Sequence, residues 1–558
     1  MTHERRDDDG PGGVGRRGVL RGLALAALAG AGTESVRAAA NDGAGYDQRP
    51  VSIDSFDGTT LAGSLYEPTG PGPFPAMLMT HGWGGDHTSE RVRRLADLYA
   101  SNGYVVLAYD SRGFGESGGG VGVDGPNEVG DARALVSWLA EYDSVANDGP
   151  DDPKVGMDNV SYAGGIQLNT AAVDDRIDAI VPRWAWNDLP YALAPNGVIK
   201  AGWDTLLFAT GVTGARGVTS GDGYPQEEDI LNGLDLEVYE ANLLGSATNE
   251  FPEESTEYYR ARSPSTKLDG VDTPTLVISG WPDTLFVPNE ALWNYGGLRE
   301  RGVETRLVLF EGGHTLTDAA GSDQRSVLDD AALAWVDEHV AGRGPADLPP
   351  VTFYEVQSGE WRTTSDVPPG NAGAETFDLA DAGSGVSLGD STLVANSVAP
   401  TSTSQLSLEN GDHVPGTAAD FDFTLDSETE VFGAPALSLT LDAVGTEAHL
   451  YAKVYRVVDG EATLIDNQVT PLRFDGPGRH EVDVEMTAFQ RRFAAGETLR
   501  VTLATTDGGF YNSRECAGVN VRHAPGESTV TFPVVGATGD PPDVPGMTPE
   551  TPGGRPSG

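Results

Sequence analysis

Three residues fall in the order serine, aspartate, histidine, each where an apolar run ends. Ser161 follows PKVGMDNV and precedes the helix-like GGIQLNTAA; Asp283 sits in SGWPDTLF after PTLVIS; His314 sits in EGGHTL after RLVLF. These types can do acyl transfer. The histidine takes the serine proton and returns it to the leaving group, and the aspartate holds the imidazole tautomer and stabilises the imidazolium. The oxyanion that forms needs donors. The backbone N–H of Tyr162, opening the helix, is one. The N–H of Trp83, in the glycine-rich loop His81-Gly82-Trp83-Gly84-Gly85, is the other. His81, at a strand end outside the triad order, is expected to be structural.

The elements that must position them can be read from the pattern. AMLMT (76–80), YVVLAYD (104–110), DAIVP (178–182), PTLVIS (274–279) and RLVLF (306–310) read as buried parallel strands. Val92, Leu95, Ala96 and Tyr99 fall on one helical face, and Asn102-Gly103 ends that helix; Val129, Ala132, Val136 and Leu139 form a similar stripe. Alternating strands and helices predict an α/β fold over residues 41–345, with the functional residues at the carboxyl ends of parallel strands. Residues 190–262, rich in aromatics and acids with no strand run, read as a helical cap insertion. From about 350 the period changes to two, as in Leu437, Leu439, Leu441 and Val530, Phe532, Val534. That predicts an all-β sandwich over 350–536, with GRGPADLPP (342–350) as the boundary and a Pro/Gly-rich disordered tail at 537–558.

The stretch MDNVSYAGG sets the main question. A nucleophile at a strand-to-helix turn usually stands in Gly-x-Ser-x-Gly; here the frame is Asn159-Val160-Ser161-Tyr162-Ala163. Asn tolerates unusual φ, but Asp158 places a carboxylate on a central strand, where it is costly unless paired. Glycine at 159 is expected to raise activity if the turn fails to hold Ser161. Asn159-Val160-Ser161 is also a glycosylation sequon, expected to be unmodified in such a turn.

THGWGGD (80–86), YDSRGFGESGG (109–119), VSYAGGIQL (160–168) with IVPRWAWND (180–188), and SGWPDTLF (279–286) with GGHTL (312–316) resemble the X-prolyl dipeptidyl peptidase and cocaine-esterase family of α/β-hydrolases. The order of core, cap and C-terminal jelly roll resembles it too, over roughly residues 50–535. The resemblance implies Ser161, Asp283 and His314 as catalytic triad, and Tyr162 and Trp83 as oxyanion donors. It also implies that Trp184 and Trp186 line the acyl pocket, although both equally suit core packing. The expected activity is serine hydrolysis through an acyl-enzyme, releasing X-Pro dipeptides or cleaving acyl esters. The alternative is a degenerate homologue that binds peptide or glycan outside the cell. A dipeptidyl peptidase needs an acid for the substrate ammonium, and cap acids such as Glu227, Glu228 and Asp229 are too common in type to single out.

Composition bounds the rest. The 558 residues carry a formal charge of −48, which excludes nucleic acid and anionic membranes as partners. The only lysines are Lys154, Lys200, Lys267 and Lys453. An acid-rich, lysine-poor surface suits concentrated salt, where the Debye length shrinks to about 3 Å and self-repulsion fades; a halophilic source is expected. Cys516 is the single cysteine, so neither an intramolecular disulfide nor a cysteine metal site forms. His87, His339, His413, His449, His480 and His523 lack ligand spacing, and DSRGFGES lacks the Gly-Lys-Ser/Thr of a phosphate loop. No metal and no cofactor are implied; the partner is a small-molecule or peptide substrate. Residues 1–40, with Gly15-Arg16-Arg17-Gly18-Val19-Leu20, an apolar run from Leu23 to Gly32 and Ala38-Ala39-Ala40, read as a twin-arginine signal peptide. The run is too short to span a bilayer, so export without a stable membrane anchor is expected.

Overall fold

The computed structural model describes residues 45–215, 233–314, 322–380, 384–388, 390–395, 408, 411, 413, 417–515 and 518–537. The expectations for the signal peptide, for Glu227, Glu228 and Asp229, for Cys516 and for the tail beyond 537 fall outside them.

Apolar runs become strands where expected. Ten strands form one mixed sheet: β1 (Tyr46–Asp54), β2 (Thr60–Pro68), β3 (Ala76–Met79), β4 (Val105–Tyr109), β5 (Val155–Val160), β6 (Ala179–Arg183), β7 (Thr275–Gly280), β8 (Thr305–Phe310), β9 (Val351–Glu355) and β10 (Glu360–Thr364). Their spatial order is β1-β2-β4-β3-β5-β6-β7-β8-β9-β10. The strands from β4 through β3 and β5 to β9 run parallel, and β1, β2 and β10 are antiparallel edges. The central strands are buried on both faces, which is why they read as continuous apolar runs rather than alternating ones.

Helices cover both faces. On one side α1 (Glu90–Ser101) presents Val92, Leu95, Ala96 and Tyr99, the stripe read from the sequence, and meets Leu328, Ala332, Trp335 and Val336 of α9 (Ser322–His339) across the sheet residues. On the other, α2 (Pro126–Ala140), α3 (Tyr162–Ala171) and α8 (Pro288–Glu300) contribute Ala132, Leu135, Val136, Leu139, Ile166, Leu168 and Leu298. Proline opens α2 and α8, where the first turn has no use for its missing N–H. Between β6 and β7 the described residues form helices and no strand: α4 (Leu189–Leu193), α5 (Ala201–Gly214), α6 (Leu236–Thr248) and α7 (Glu253–Arg260).

The sandwich packs a nine-stranded sheet against a four-stranded one. Leu437, Leu439, Leu441, Val530, Phe532 and Val534 of the first meet Phe421, Leu450, Leu472, Val501 and Leu503 of the second in one core, which is the period-two pattern put to use. The first two strands beyond the boundary expected at 342–350 do not join the sandwich. Strands β9 and β10 extend the first sheet, because β9 pairs with β8 through Leu307, Val308 and Leu309; sandwich strands begin at Ala372. The two layers then interlock through Phe432, which packs against both Trp281 and Phe353.

Candidate active site

Strands β5, β7 and β8, with β6 between the first two, end at the same edge of the sheet, and each delivers one residue to the same point. Ser161 directly follows β5 with φ 60 and ψ −123, a backbone state that non-glycine residues adopt only when their surroundings impose it. Three contacts impose it here. The Ser161 N–H donates to the Arg183 carbonyl at 2.8 Å, and the Ser161 carbonyl accepts from Gly164 and Gly165 at 2.6 and 3.0 Å. Both glycines are needed for close approach. A Cβ at 164 would lie 2.9 Å from the Ala185 Cβ, and one at 165 would lie 2.3 Å from the Trp186 ring. The glycine requirement of this elbow has thus moved one and two positions beyond Ala163.

Asn159 and Asp158 find partners that the sequence did not reveal. The Asn159 amide donates to the Thr80 carbonyl at 2.6 Å, its oxygen accepts from the Val160 N–H at 2.9 Å, and its own carbonyl accepts from Gln167 at 3.1 Å. It therefore ties the elbow to the end of β3, and at 1% exposure it is closed to a glycosylating enzyme. Asp158 is forked by Arg183 of the neighbouring strand at 2.7 and 2.6 Å and accepts from the Tyr99 hydroxyl at 2.6 Å. Arg183 also reaches Asp329 at 2.9 Å. A buried carboxylate with a bidentate guanidinium and a phenol has the partners that offset its desolvation.

His314 completes a chain of hydrogen bonds. Its Nε2 lies 2.7 Å from Ser161 Oγ and its Nδ1 2.8 Å from Asp283 Oδ2. Because a carboxylate only accepts, Nδ1 carries the proton and Nε2 is free to take the serine's. Asp283 is fully buried, and its other oxygen accepts the N–H groups of Leu285 and Phe286, each at 2.9 Å. The imidazole is held edge-on by Phe286 and Trp203, with centroids 4.7 and 5.8 Å away. Glycines again permit the approach: a Cβ on Gly280 would lie 1.5 Å from the Gly312 carbonyl, and one on Gly313 would lie 2.7 Å from that of Pro282.

Tyr162, the first residue of α3, has no intrahelical partner for its N–H, and none meets the Trp83 N–H among the described residues. The Trp83 indole donates to the Leu207 carbonyl of α5 at 2.8 Å, which fixes the loop beneath the cap. His81 is buried and structural: its Nε2 accepts from the Ser111 N–H at 3.1 Å, so Nδ1 donates to the Gly82 carbonyl at 2.8 Å. Burial lowers its pKa, which keeps it neutral.

A mostly apolar pocket opens on Ser161, lined among others by Trp83, Tyr162, Trp186, Leu207, Phe208 and Phe286. Trp186 belongs to it. Trp184 does not: it packs edge-on against Phe310 with Arg91 over its ring, so the expected substrate contact is replaced by core packing. The sequence reading missed Asp204 on α5, the one carboxylate among the lining residues. It accepts from Asn242 at 3.0 Å and from Tyr511 of the sandwich at 3.3 Å, and burial raises its pKa to about 7. Nothing distinguished it in a chain with 84 acids. Among the described residues no group of three or more His, Cys, Asp and Glu side chains is placed to hold a metal ion.

A parallel-centred sheet with a Ser-His-Asp hydrogen-bonded chain at its carboxyl edge and an all-β domain behind it defines an α/β-hydrolase with a C-terminal sandwich. Comparison with known proteins narrows this. Residues 57–316 match the X-Pro dipeptidyl-peptidase (S15 family), and residues 344–518 match the X-Pro dipeptidyl-peptidase C-terminal non-catalytic domain. The chain belongs to this X-prolyl dipeptidyl peptidase and cocaine-esterase family, which makes it a hydrolase. Cocaine esterase from Rhodococcus sp. (strain MB1 Bresler) is 25% identical over 549 residues, covering 84% of this chain and 92% of the relative. Among solved structures, a CocE/NonD family hydrolase from Staphylococcus aureus superposes with TM-score 0.67 at 16% identity, over 88% of this chain and 94% of that one. An α-amino acid ester hydrolase gives TM-score 0.62 at 15% identity, over 90% and 99%. At such identities the structural likeness speaks for the fold alone.

Proposed function

We propose that the protein is a serine hydrolase that cleaves acyl esters or amides through an acyl-enzyme. The supporting observation is the chain from Ser161 through His314 to Asp283 at 2.7 and 2.8 Å, with Ser161 held in the strained elbow conformation. In this reading Ser161 attacks the carbonyl while His314 takes its proton and Asp283 stabilises the imidazolium; the Tyr162 and Trp83 N–H groups hold the oxyanion. His314 then protonates the leaving alcohol or amine, and water repeats the sequence to release the acid. The apolar pocket favours an apolar acyl or leaving group.

A second reading, release of X-Pro dipeptides, is favoured by one observation. Asp204 faces the pocket with Oδ2 engaged and, once ionised at or above about pH 7, offers a carboxylate to a substrate ammonium. Initial rates on short acyl esters and on an X-Pro-anilide, for the wild type and for Asp204→Asn, separate the two. Ester turnover alone, indifferent to Asp204→Asn, removes the peptidase reading; anilide turnover that Asp204→Asn abolishes establishes it. No turnover of either by folded protein would favour the binding-protein alternative. We also propose export by the twin-arginine route. Replacing Arg16 and Arg17 by lysine should leave the protein inside the cell, and unaffected secretion would contradict it.

A further inference from the structure

The loop that carries Asp283 is gripped from behind by the sandwich. Gln468 Nε2 donates to the Trp281 carbonyl at 2.7 Å and to the Asp283 carbonyl at 3.0 Å. Gln468 reaches this loop because its own strand, Glu461–Asp475, breaks register. On the neighbouring strand, Glu447–Val458, Lys453 pairs with Val469 and Tyr455 with Leu464, so Val454 alone stands opposite residues 465–468. Asp466 and Asn467 have φ of 52 and 59 within that bulge, a cost that persists only where neighbours fix it. Arg491 does so through an ion pair to Asp466. Bulges commonly re-aim a side chain beside a functional site, and here the re-aimed side chain is an amide placed between two carbonyls.

The chemistry of the contact argues against a filler role. Gln468 is 6% exposed, and its Oε1 is buried with no partner among the described residues. An orphaned buried acceptor costs free energy; an apolar side chain of similar length would avoid it. What only the amide supplies is two donors to the turn on either side of Pro282. Other groups hold the rest of the loop: the buried Lys200 donates to the Leu285 carbonyl at 2.7 Å, and Trp203 to Thr284 at 3.0 Å. Gln468 alone among these bonds the carbonyl of Asp283 itself.

We propose that Gln468 is a positioning residue for catalysis: the sandwich fixes the Asp283 backbone through it, and so sets the direction in which the carboxylate meets His314. The inference rests on the serine-hydrolase reading. It would give the domain matched as non-catalytic a direct part in the rate.

Gln468→Met, nearly isosteric, is compared in the full chain with Thr502→Val. The latter removes a buried hydroxyl that donates to Asp420 at 2.6 Å, elsewhere in the sandwich. Active sites are titrated to completion with a fluorophosphonate, so that kcat is counted per reactive serine. Gln468→Met should lower kcat about 10- to 100-fold, as misplacement of a catalytic group does, with KM within twofold. The acid limb of kcat/KM should move to lower pH, because a misdirected carboxylate stabilises the imidazolium less. Thr502→Val should leave kcat and that limb in place. A Gln468→Met enzyme with wild-type kcat and an unmoved acid limb overturns the proposal, as does an equal kcat loss in Thr502→Val. If Gln468→Met does not fold, Gln468→Asn, which shortens the reach by one carbon, is held to the same criteria. Failure of the wild type to react with the fluorophosphonate would instead reject the serine-hydrolase reading.

Discussion

Asn159 and Asp158 stand where a hydrolase elbow ordinarily has glycine and an apolar strand residue, and each is explained by a partner distant in sequence. Asn159 reaches Thr80 on another strand, and Asp158 reaches Arg183 and Tyr99. Glycine at 159 therefore does not restore anything. Asn159→Gly removes the bond to the Thr80 carbonyl and the acceptor for the Val160 N–H, and should destabilise the protein by about 1–3 kcal/mol with no gain in kcat. Chemical denaturation and ester kinetics check this; a faster and equally stable variant would show that the side chain is a defect. Ser161, Asp283 and His314 were legible because order and strand ends are local signals. Asp204 and the fork on Asp158 were not, since both depend on which elements meet in space.

At the level of elements, the five parallel strands read from apolar runs lie within one or two residues of their positions. The hairpin of β1 and β2 was not read. Most of YDQRPVSID is exposed on an edge strand, so it carries neither an apolar run nor a clean alternation. Strands β9 and β10 lie in the span 350–536 expected for the sandwich; that β9 pairs with β8, and β10 with β9, is a tertiary fact. Glycines let the loops after β7 and β8 approach closely enough for Asp283 to meet His314. Gly280→Ala sets a methyl against the Gly312 carbonyl, at a spacing no backbone tolerates unshifted. It should push the Asp283 and His314 loops apart and lower kcat by about 100-fold or more even where thermal unfolding shows a folded protein. Full activity in Gly280→Ala would mean that the two loops need not touch.

Across the whole molecule, burial has raised several carboxyl groups: Glu128, Asp178, Asp204 and Glu485 each to about 7. In the unfolded chain these groups lose their protons near the ordinary carboxylate value of about 4; in the folded protein they hold them to about 7. The folded state thus binds more protons between these limits, and their contribution to stability falls as pH rises through that window. Midpoints of thermal unfolding in concentrated salt should be higher at pH 6 than at pH 8. A higher midpoint at pH 8 would mean that these carboxyls are ionised and paired in the fold. The formal charge of −48 adds a second dependence. Raising KCl from low to molar concentration screens the self-repulsion and should raise the midpoint; a protein most stable in dilute buffer contradicts the proposal of a halophilic surface.

The central claim is that Ser161 is a nucleophile held in an intact elbow. Intact mass spectrometry after exposure to a fluorophosphonate tests it most directly, with folded wild type and Ser161→Ala side by side. One adduct per chain on the wild type, mapped to the peptide spanning Ser161 and absent from Ser161→Ala, is the predicted result, and ester turnover should fall roughly 10⁶-fold in the variant. Folded wild type that takes up no label, or a Ser161→Ala protein that is still labelled, would contradict it.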